Sequence, residues 1–233
     1  MIQTLLKSLR GTDWEILTGF VSPAFFDVVP TIGMARAFRR IIYDYVNCSE
    51  FEKSLRKAKK SLFEIPSCLH KDSAGRGRVV LELYFRQIFK FDSAVLDLRS
   101  SAFEFRADKV EWKPKPLFYH WDTEFIVAVR KMYRGFYRND VSEYTAGLEA
   151  LDLGHAHDAF KSHFGLGDQS SVRFTLLEFK KSFQSIFESC KKNKTRLHPD
   201  FFALGVYLLC LYENLESLDV PLDVRGAFDS VVD

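Results

Sequence analysis

The sequence predicts a mainly α-helical (α+β) globular domain with one small antiparallel β-hairpin near its middle. Three observations predict it. Apolar residues recur at three- and four-residue steps over most of the 233 positions. The segments between them end at capping residues, Gly or Pro. Only around Phe103–Trp112 does the apolar period fall to two, as a strand requires.

Leu5, Leu6 and Leu9 suggest a short first helix, and "TDWE" at Thr12–Glu15 has capping-box spacing. In "SPAFFDVV", Ser22 is placed to cap a helix with Pro23 at its first position, and Pro30 ends it. A helix from Gly33 to Asn47 follows, with Ala37, Ile41 and Tyr45 on one side. "SEFEKSLRKAKKSLFEIP" is the clearest amphipathic helix. Ser49 and Glu52 form a second capping box, Phe51, Leu55, Ala58, Leu62 and Ile65 make one apolar seam, and Pro66 stops it. Its other face carries Lys53, Arg56, Lys57 and Lys60. A basic run of this kind is a solvated face or a binding surface for an acidic partner.

"CLHKDSAGRGR" reads as a flexible connector, with Gly75–Arg78 a hinge lacking the spacing of a phosphate loop. Val79–Lys90 is a strong helix. The alternation of Phe103 and Phe105 with Ala102, Glu104 and Arg106, followed by Val110-Glu-Trp112, gives a hairpin over 102–113 that turns near Ala107-Asp108. "KPKP" forbids regular structure. From Asp122 the pattern is helical to the end, with helices at Thr123–Tyr137, Val141–Leu151, His155–Phe164, Thr175–Cys190 and Asp200–Leu218. Asn139-Asp140, Gly154, "GLGDQSS" and "NKTRLHPD" punctuate them. No repeat period shows, so one domain is expected over 1–233.

Composition excludes several function classes. A formal net charge of +2 gives no electrostatic footprint for nucleic acid or an anionic membrane. Cys48, Cys68, Cys190 and Cys210 are scattered without a C-x-x-C, as free thiols of a reducing, cytoplasmic compartment would be. Charges at Lys7, Arg10, Asp13 and Glu15 break every apolar run of the first twenty residues, so neither a signal peptide nor a spanning helix is expected there. "FFALGVYLLCLY" (Phe201–Tyr212) is too short to cross a bilayer and reads as a buried helix. The use of 23 phenylalanines against 3 methionines implies rigid, bulky packing between helices.

The order of elements after residue 78 carries a resemblance. "FRQIFKFD" (Phe85–Asp92) ends a helix, "LDLRSSAFEF" (Leu96–Phe105) forms an aspartate-bearing loop and a first strand, and a proline-rich loop leads to "FIVAVRKMYRGFYRNDVSEYTAGLEALDL". "LHPDFFALGVYLLCLYENLESLD" closes the series. This order is similar to the C-terminal lobe of the AarF/UbiB family of atypical kinase-like proteins, over about 78–219, with 1–72 as a separate helical N-terminal part. The resemblance implies a kinase-like catalytic loop with Asp97 at the catalytic aspartate. It also implies that the chemistry has been lost. Val95 occupies the family's histidine position, Ala102 replaces the metal-binding asparagine, and Lys113-Pro-Lys-Pro116 replaces the D-F-G aspartate. Phosphoryl transfer depends on metal-held phosphates, and neither alanine nor lysine ligates magnesium. Residues 1–78 contain no G-x-G-x-x-G loop, no V-A-I-K strand and no K-x-G-Q signature.

Two other constellations are weighed against structural roles. In "GHAHDAFKSHF", His155 and Asp158 share a helical face, but no thiolate or H-E-x-x-H spacing accompanies them, so a polar helix start is favoured over a metal site. In "FYHWD", Asp122 is better placed to cap the next helix than to orient His120 as a general base. No nucleophile elbow exists and no cysteine has an adjacent histidine. The expectation is a non-catalytic, pseudokinase-like binding or scaffolding protein that uses no cofactor or metal and takes a protein partner, with self-association one form of it. The rivals are an atypical phosphotransferase or ATPase acting through Asp97, and a lipid- or isoprenoid-handling protein, the latter implied by the family's link to quinone biosynthesis.

Overall fold

The computed structural model describes residues 49–66, 71–106, 109–164 (side chains of 161–164 apart) and 171–232, with isolated helical positions between 28 and 39. The expectations for the rest of the first 48 residues, for Cys48 and Cys68, for the hairpin tip at 107–108 and for "GLGDQSS" up to Ser170 lie outside the described residues. The elements in order are α1 (Ser49–Phe63), α2 (Ser73–Lys90), β1 (Ser93–Val95), a 3₁₀ turn (Ser100–Ala102), β2 (Phe103–Phe105), β3 (Val110–Trp112), β4 (Phe118–His120), α3 (Thr123–Tyr137), α4 (Val141–Ala150), a second 3₁₀ turn (Gly154–Ala156), α5 (His157–Phe164), α6 (Leu176–Asn193), α7 (Phe201–Ser217) and α8 (Val224–Val232). The molecule is mainly helical, as expected.

Helices α2 and α7 form the centre. Both are enclosed by neighbours: α2 is buried on every side from Val79 to Ile88, with Glu82, Arg86 and Gln87 among its buried residues, and α7 is apolar around most of its circumference. α7 is the "FFALGVYLLCLY" segment, and Phe201 to Tyr212 are all buried. Around α2 pack α1, α3, α7, α8 and β1. Aromatic rings fill the joints: Tyr84 lies 4.9 Å from Tyr207, Tyr137 4.8 Å from Phe228, and Phe85 5.6 Å from Phe228. The predicted apolar seam of α1 is likewise inward, with Phe51, Ala58, Leu62 and Ile65 buried.

α3 and α4 form a close helical hairpin. Asn139 (φ 55°) makes the turn, and the Asp140 carboxylate accepts from Glu143 N at 2.9 Å to start α4. Their backbones approach so closely that a Cβ on Gly135 would stand 2.1 Å from Tyr144 N. Glycine is required there by space rather than by conformation. Asp122 caps α3 by accepting from Glu124 N and Phe125 N at 3.0 and 3.1 Å, which is the structural role expected for it.

The structure corrects three expectations. Residues 73–78 are no hinge: α2 begins at Ser73, because the Asp72 carboxylate accepts from Gly75 N at 2.7 Å and caps it. Gly77 lies buried where a Cβ would come within 2.5 Å of the Leu222 side chain, so this glycine serves packing. Second, the hairpin β2–β3 (Phe103 opposite Trp112, Phe105 opposite Val110) is as predicted, but another antiparallel pair accompanies it. β1 pairs with β4, Ala94 opposite Tyr119 and Val95 opposite Phe118. Ala94 and Val95, and likewise Phe118 and Tyr119, are buried as consecutive pairs, so each strand is hidden on both faces there and neither shows the alternation that marks a half-exposed strand. Third, the C-terminal part holds a separate helix, α8, whose Phe228 and Ala227 close the core over α2.

Among the described residues no helix is long and apolar enough to cross a membrane.

Candidate functional site

The loop between β1 and β2 carries Asp97, and its path is set by side chains from distant elements. Gln87 of α2 holds its first residue: its Oε1 accepts from Val95 N at 2.8 Å, while its Nε2 donates to Tyr207 Oη at 2.8 Å and reaches Val95 O at 3.3 Å. Leu96 N then donates to Leu117 O. Trp112 Nε1 donates to Asp97 O at 3.0 Å, and Asn214 Nδ2 of α7 donates to Leu98 O at 2.7 Å. Glu213 receives Ser100 N and Ser100 Oγ, each at 2.8 Å. The backbone groups of Val95, Leu96, Asp97, Leu98 and Ser100 named here are thereby answered, as a dry interior demands.

Asp97 itself is 1% exposed. The Arg99 guanidinium donates to both carboxylate oxygens, Nε to Oδ1 at 2.7 Å and Nη2 to Oδ2 at 3.0 Å. Lys115 N, from the Lys-Pro-Lys-Pro loop, adds a third bond to Oδ2 at 2.8 Å. The arrangement is a bidentate fork plus a backbone cap, a charge-assisted set that orients the turn. The Lys113–Pro116 segment thus contributes a peptide N–H to Asp97. Ala102 is buried, and its carbonyl accepts from Lys113 N to close the base of the hairpin. The Asp97 carboxylate is walled off and engaged on both oxygens.

The predicted binding residues lie elsewhere. Lys53, Arg56, Lys57 and Lys60 are exposed along the outer face of α1, and among the described residues none forms an ion pair. The structure does not bring them to Asp97. Nor, among the described residues, does an ion pair join them to Glu213, Glu216, Asp219, Asp223 or Asp229, the acidic C-terminal residues that the same chain could offer as an internal partner. Glu213 holds Ser100, Glu216 accepts from Leu176 N at 3.0 Å, Asp219 pairs with Arg173, and Asp223 accepts from Gly226 N at 2.8 Å. α1 is tied to the body by Glu64, which accepts from Arg86 at 2.6 Å, and by Ser54 Oγ, 3.2 Å from Ser93 Oγ.

At the histidine-rich segment, His157 rather than His155 meets Asp158, at 3.2 Å. His155 stands exposed in the 3₁₀ turn before α5. No group of three metal-ligating side chains occurs among the described residues. Burial pushes the thiols of Cys190 and Cys210 up to about 11 and about 12; for Cys210 the Asp97 carboxylate adds to the effect. Such thiols stay protonated and inert at neutral pH.

The sequence places Asp97 in the loop, with Arg99 two residues on and close enough to neutralise it, but Gln87, Asn214, Glu213 and Trp112 are not among its candidates. The available signal is a polar residue within an apolar helical run: Gln87 interrupts "LELYFRQIF" and Asn214 interrupts "LLCLYENL". An amide in such a place must have a partner.

No family model matches the chain, and no curated protein matches it.

Proposed function

We propose that the chain is a non-catalytic binding or scaffolding protein of the cytoplasm, built on a degenerate kinase-like C-terminal lobe, with a protein as its partner. The observation that carries this reading is the engagement of Asp97. A carboxylate that accepts from Arg99 through both oxygens and from Lys115 N has no free lone pair aimed at a solvent-exposed hydroxyl. General-base catalysis needs that contact, and a magnesium site needs additional oxygen ligands. Ala102 and Lys113–Pro116 offer no side-chain oxygen in the places where the kinase-like register puts them. Binding then falls to the surface, and the Lys53, Arg56, Lys57 and Lys60 face is a charged patch whose members form no ion pair among the described residues. The isoprenoid-handling reading gains nothing from the void between Tyr84, Tyr133, Phe174 and Tyr212, which at about 20 Å³ has room for about one water.

Titration of the full chain with ATP in the presence of magnesium, alongside an ATP-hydrolysis assay, tests the reading. The expected result is no magnesium-dependent binding and no turnover. Turnover that is present in the wild type and lost in Asp97→Asn overturns it in favour of an atypical phosphotransferase.

A further inference from the structure

We infer that the outer face of α1 is a docking site for an acidic protein segment that carries an apolar side chain beside its carboxylates, with Phe63 as the anchor for that side chain. This deepens the binding reading above and rests on it.

Lys53 lies three and four residues before Arg56 and Lys57, and these lie four and three before Lys60, so the four form one stripe roughly 10 Å long on the side opposite the buried seam. Phe63 continues that stripe at its C-terminal end, three residues beyond Lys60 and seven beyond Arg56. It is 77% exposed, on the same helix whose other aromatic, Phe51, is 7% exposed. A phenylalanine standing in water beside four cations that have no acidic partner among the described residues is a mixed patch, and its complement is carboxylates flanking one apolar group. The pattern matches the general anatomy of a hot spot, a desolvated ring bordered by polar contacts that exclude water.

Three other occupants fit less well. A membrane-surface helix inserts its apolar face, but in α1 that face is committed to the interior through Phe51, Ala58, Leu62 and Ile65. Nucleic acid calls for a wider basic field than one helix stripe on a chain of net charge +2. A second copy would have to offer clustered acidic groups, and in its acidic C-terminal segment Glu213, Glu216, Asp219 and Asp223 are engaged within their own chain.

The test uses the full chain and a fluorescent, glutamate-rich helical peptide carrying one leucine, followed by anisotropy. Saturable binding is expected, weakened by added salt because exposed charges are screened over about 8 Å at physiological ionic strength and about 3 Å at 1 M. Phe63→Ala should weaken it about tenfold, and so should replacing the peptide's leucine by alanine. Lys53→Glu combined with Lys57→Glu should weaken it by about tenfold or more while leaving the circular dichroism spectrum unchanged. Equal affinity for the leucine and alanine peptides overturns the anchor. Binding indifferent to both sets of substitutions overturns the site. Sedimentation that shows salt-sensitive self-association abolished by the lysine substitutions assigns the face to a second copy. Binding to phosphatidylserine vesicles without binding to the peptide assigns it to a membrane. Either result also overturns the proposal. Nucleotide turnover measured on the same preparation separates the two readings, since turnover would refute the non-catalytic assignment and leave a positive docking result intact.

Discussion

At the turn after β1, a carboxylate and a guanidinium lie 1% and 7% exposed, locked together by two bonds and capped by a third. On α1, four cations of a single helix stand in solvent without a described partner. The contrast separates two uses of charge. Taking an ion pair out of water costs several kcal/mol per ion, which its attraction only offsets when the geometry is good, so the Asp97–Arg99 pair fixes a shape more than it adds stability. The α1 cations retain their hydration and fix nothing inside the chain. Substitutions should therefore have opposite consequences in the two places.

The largest effect is expected at Arg99. Arg99→Ala strands the Asp97 carboxylate in a dry site, and breaking a buried pair from one side costs about 3–5 kcal/mol. Urea denaturation of the two single variants and of Asp97→Ala/Arg99→Ala checks it. The double variant should lose clearly less than the sum of the two single losses, because the stranded charge has gone. Additive losses would mean that the pair is not a unit, and would return Asp97 to the same footing as a surface charge.

Gln87 comes next. Gln87→Leu keeps the volume but removes the groups that answer Val95 N, Val95 O and Tyr207 Oη. A loss of about 1–3 kcal/mol is expected, since buried donors are left without acceptors. Hydrogen exchange should speed up at Val95 and its neighbours more than in α1. Uniform acceleration would show that the loop is held by the core as a whole instead of by this amide.

A smaller and pH-dependent effect is expected on the solvent side of the hairpin. Glu104 and Glu111 face each other across β2–β3, a like-charge pairing that is unfavourable alone. Lys109 and Lys113 bond to Glu111 at 2.7 Å each, with Arg106 near, and hold its carboxyl down to about 2 from 4.5. In the unfolded chain this group takes up its proton at 4.5, while in the folded chain it stays ionised to about 2. Its contribution is therefore complete above 4.5 and is lost as the pH falls toward 2. The stability gap between wild type and Glu111→Gln should close over that window and shrink in high salt. A gap constant across it would mean that the carboxylate is solvated and unpaired.

How far the sequence discloses this architecture depends on exposure. α1, α3 and β2–β3 each keep one face in water, so their period survives in the residue order, and Asp122, Asp140 and Thr175 mark helix starts where their carboxylates or hydroxyl do accept from the following amides. β1 and β4 are hidden on both faces, which removes the alternation. The start of α2 is hidden by Gly75 and Gly77, which read as turn formers until Gly75 N is seen to bond the Asp72 cap and Leu222 to need the space beside Gly77. At the site, the Asp97–Arg99 contact is local and legible. Its supports at Gln87 and Asn214 lie 10 residues before and 117 after Asp97, and no local rule connects them.

The smallest expected effect bears on α1 and sharpens the comparison most. Lys53, Arg56, Lys57 and Lys60 are spaced so that 53 with 57 and 56 with 60 are four apart, which sets like charges against each other along the helix. Lys53→Glu replaces one such repulsion by an acid preceding Lys57 by four residues, the favourable orientation. The new carboxylate also lies nearer the N-terminal end of α1, where the helix dipole favours negative charge. A gain of about 0.2–0.5 kcal/mol is therefore expected, visible as a small rise in the denaturation midpoint at low ionic strength that fades as salt is added. That outcome would show that the basic stripe slightly opposes the folding of its own helix, leaving an external acidic partner as the contact that would offset the repulsion. A loss of stability greater than about 1 kcal/mol would place Lys53 in an internal contact instead, and the distinction between the buried pair and the exposed stripe would not hold.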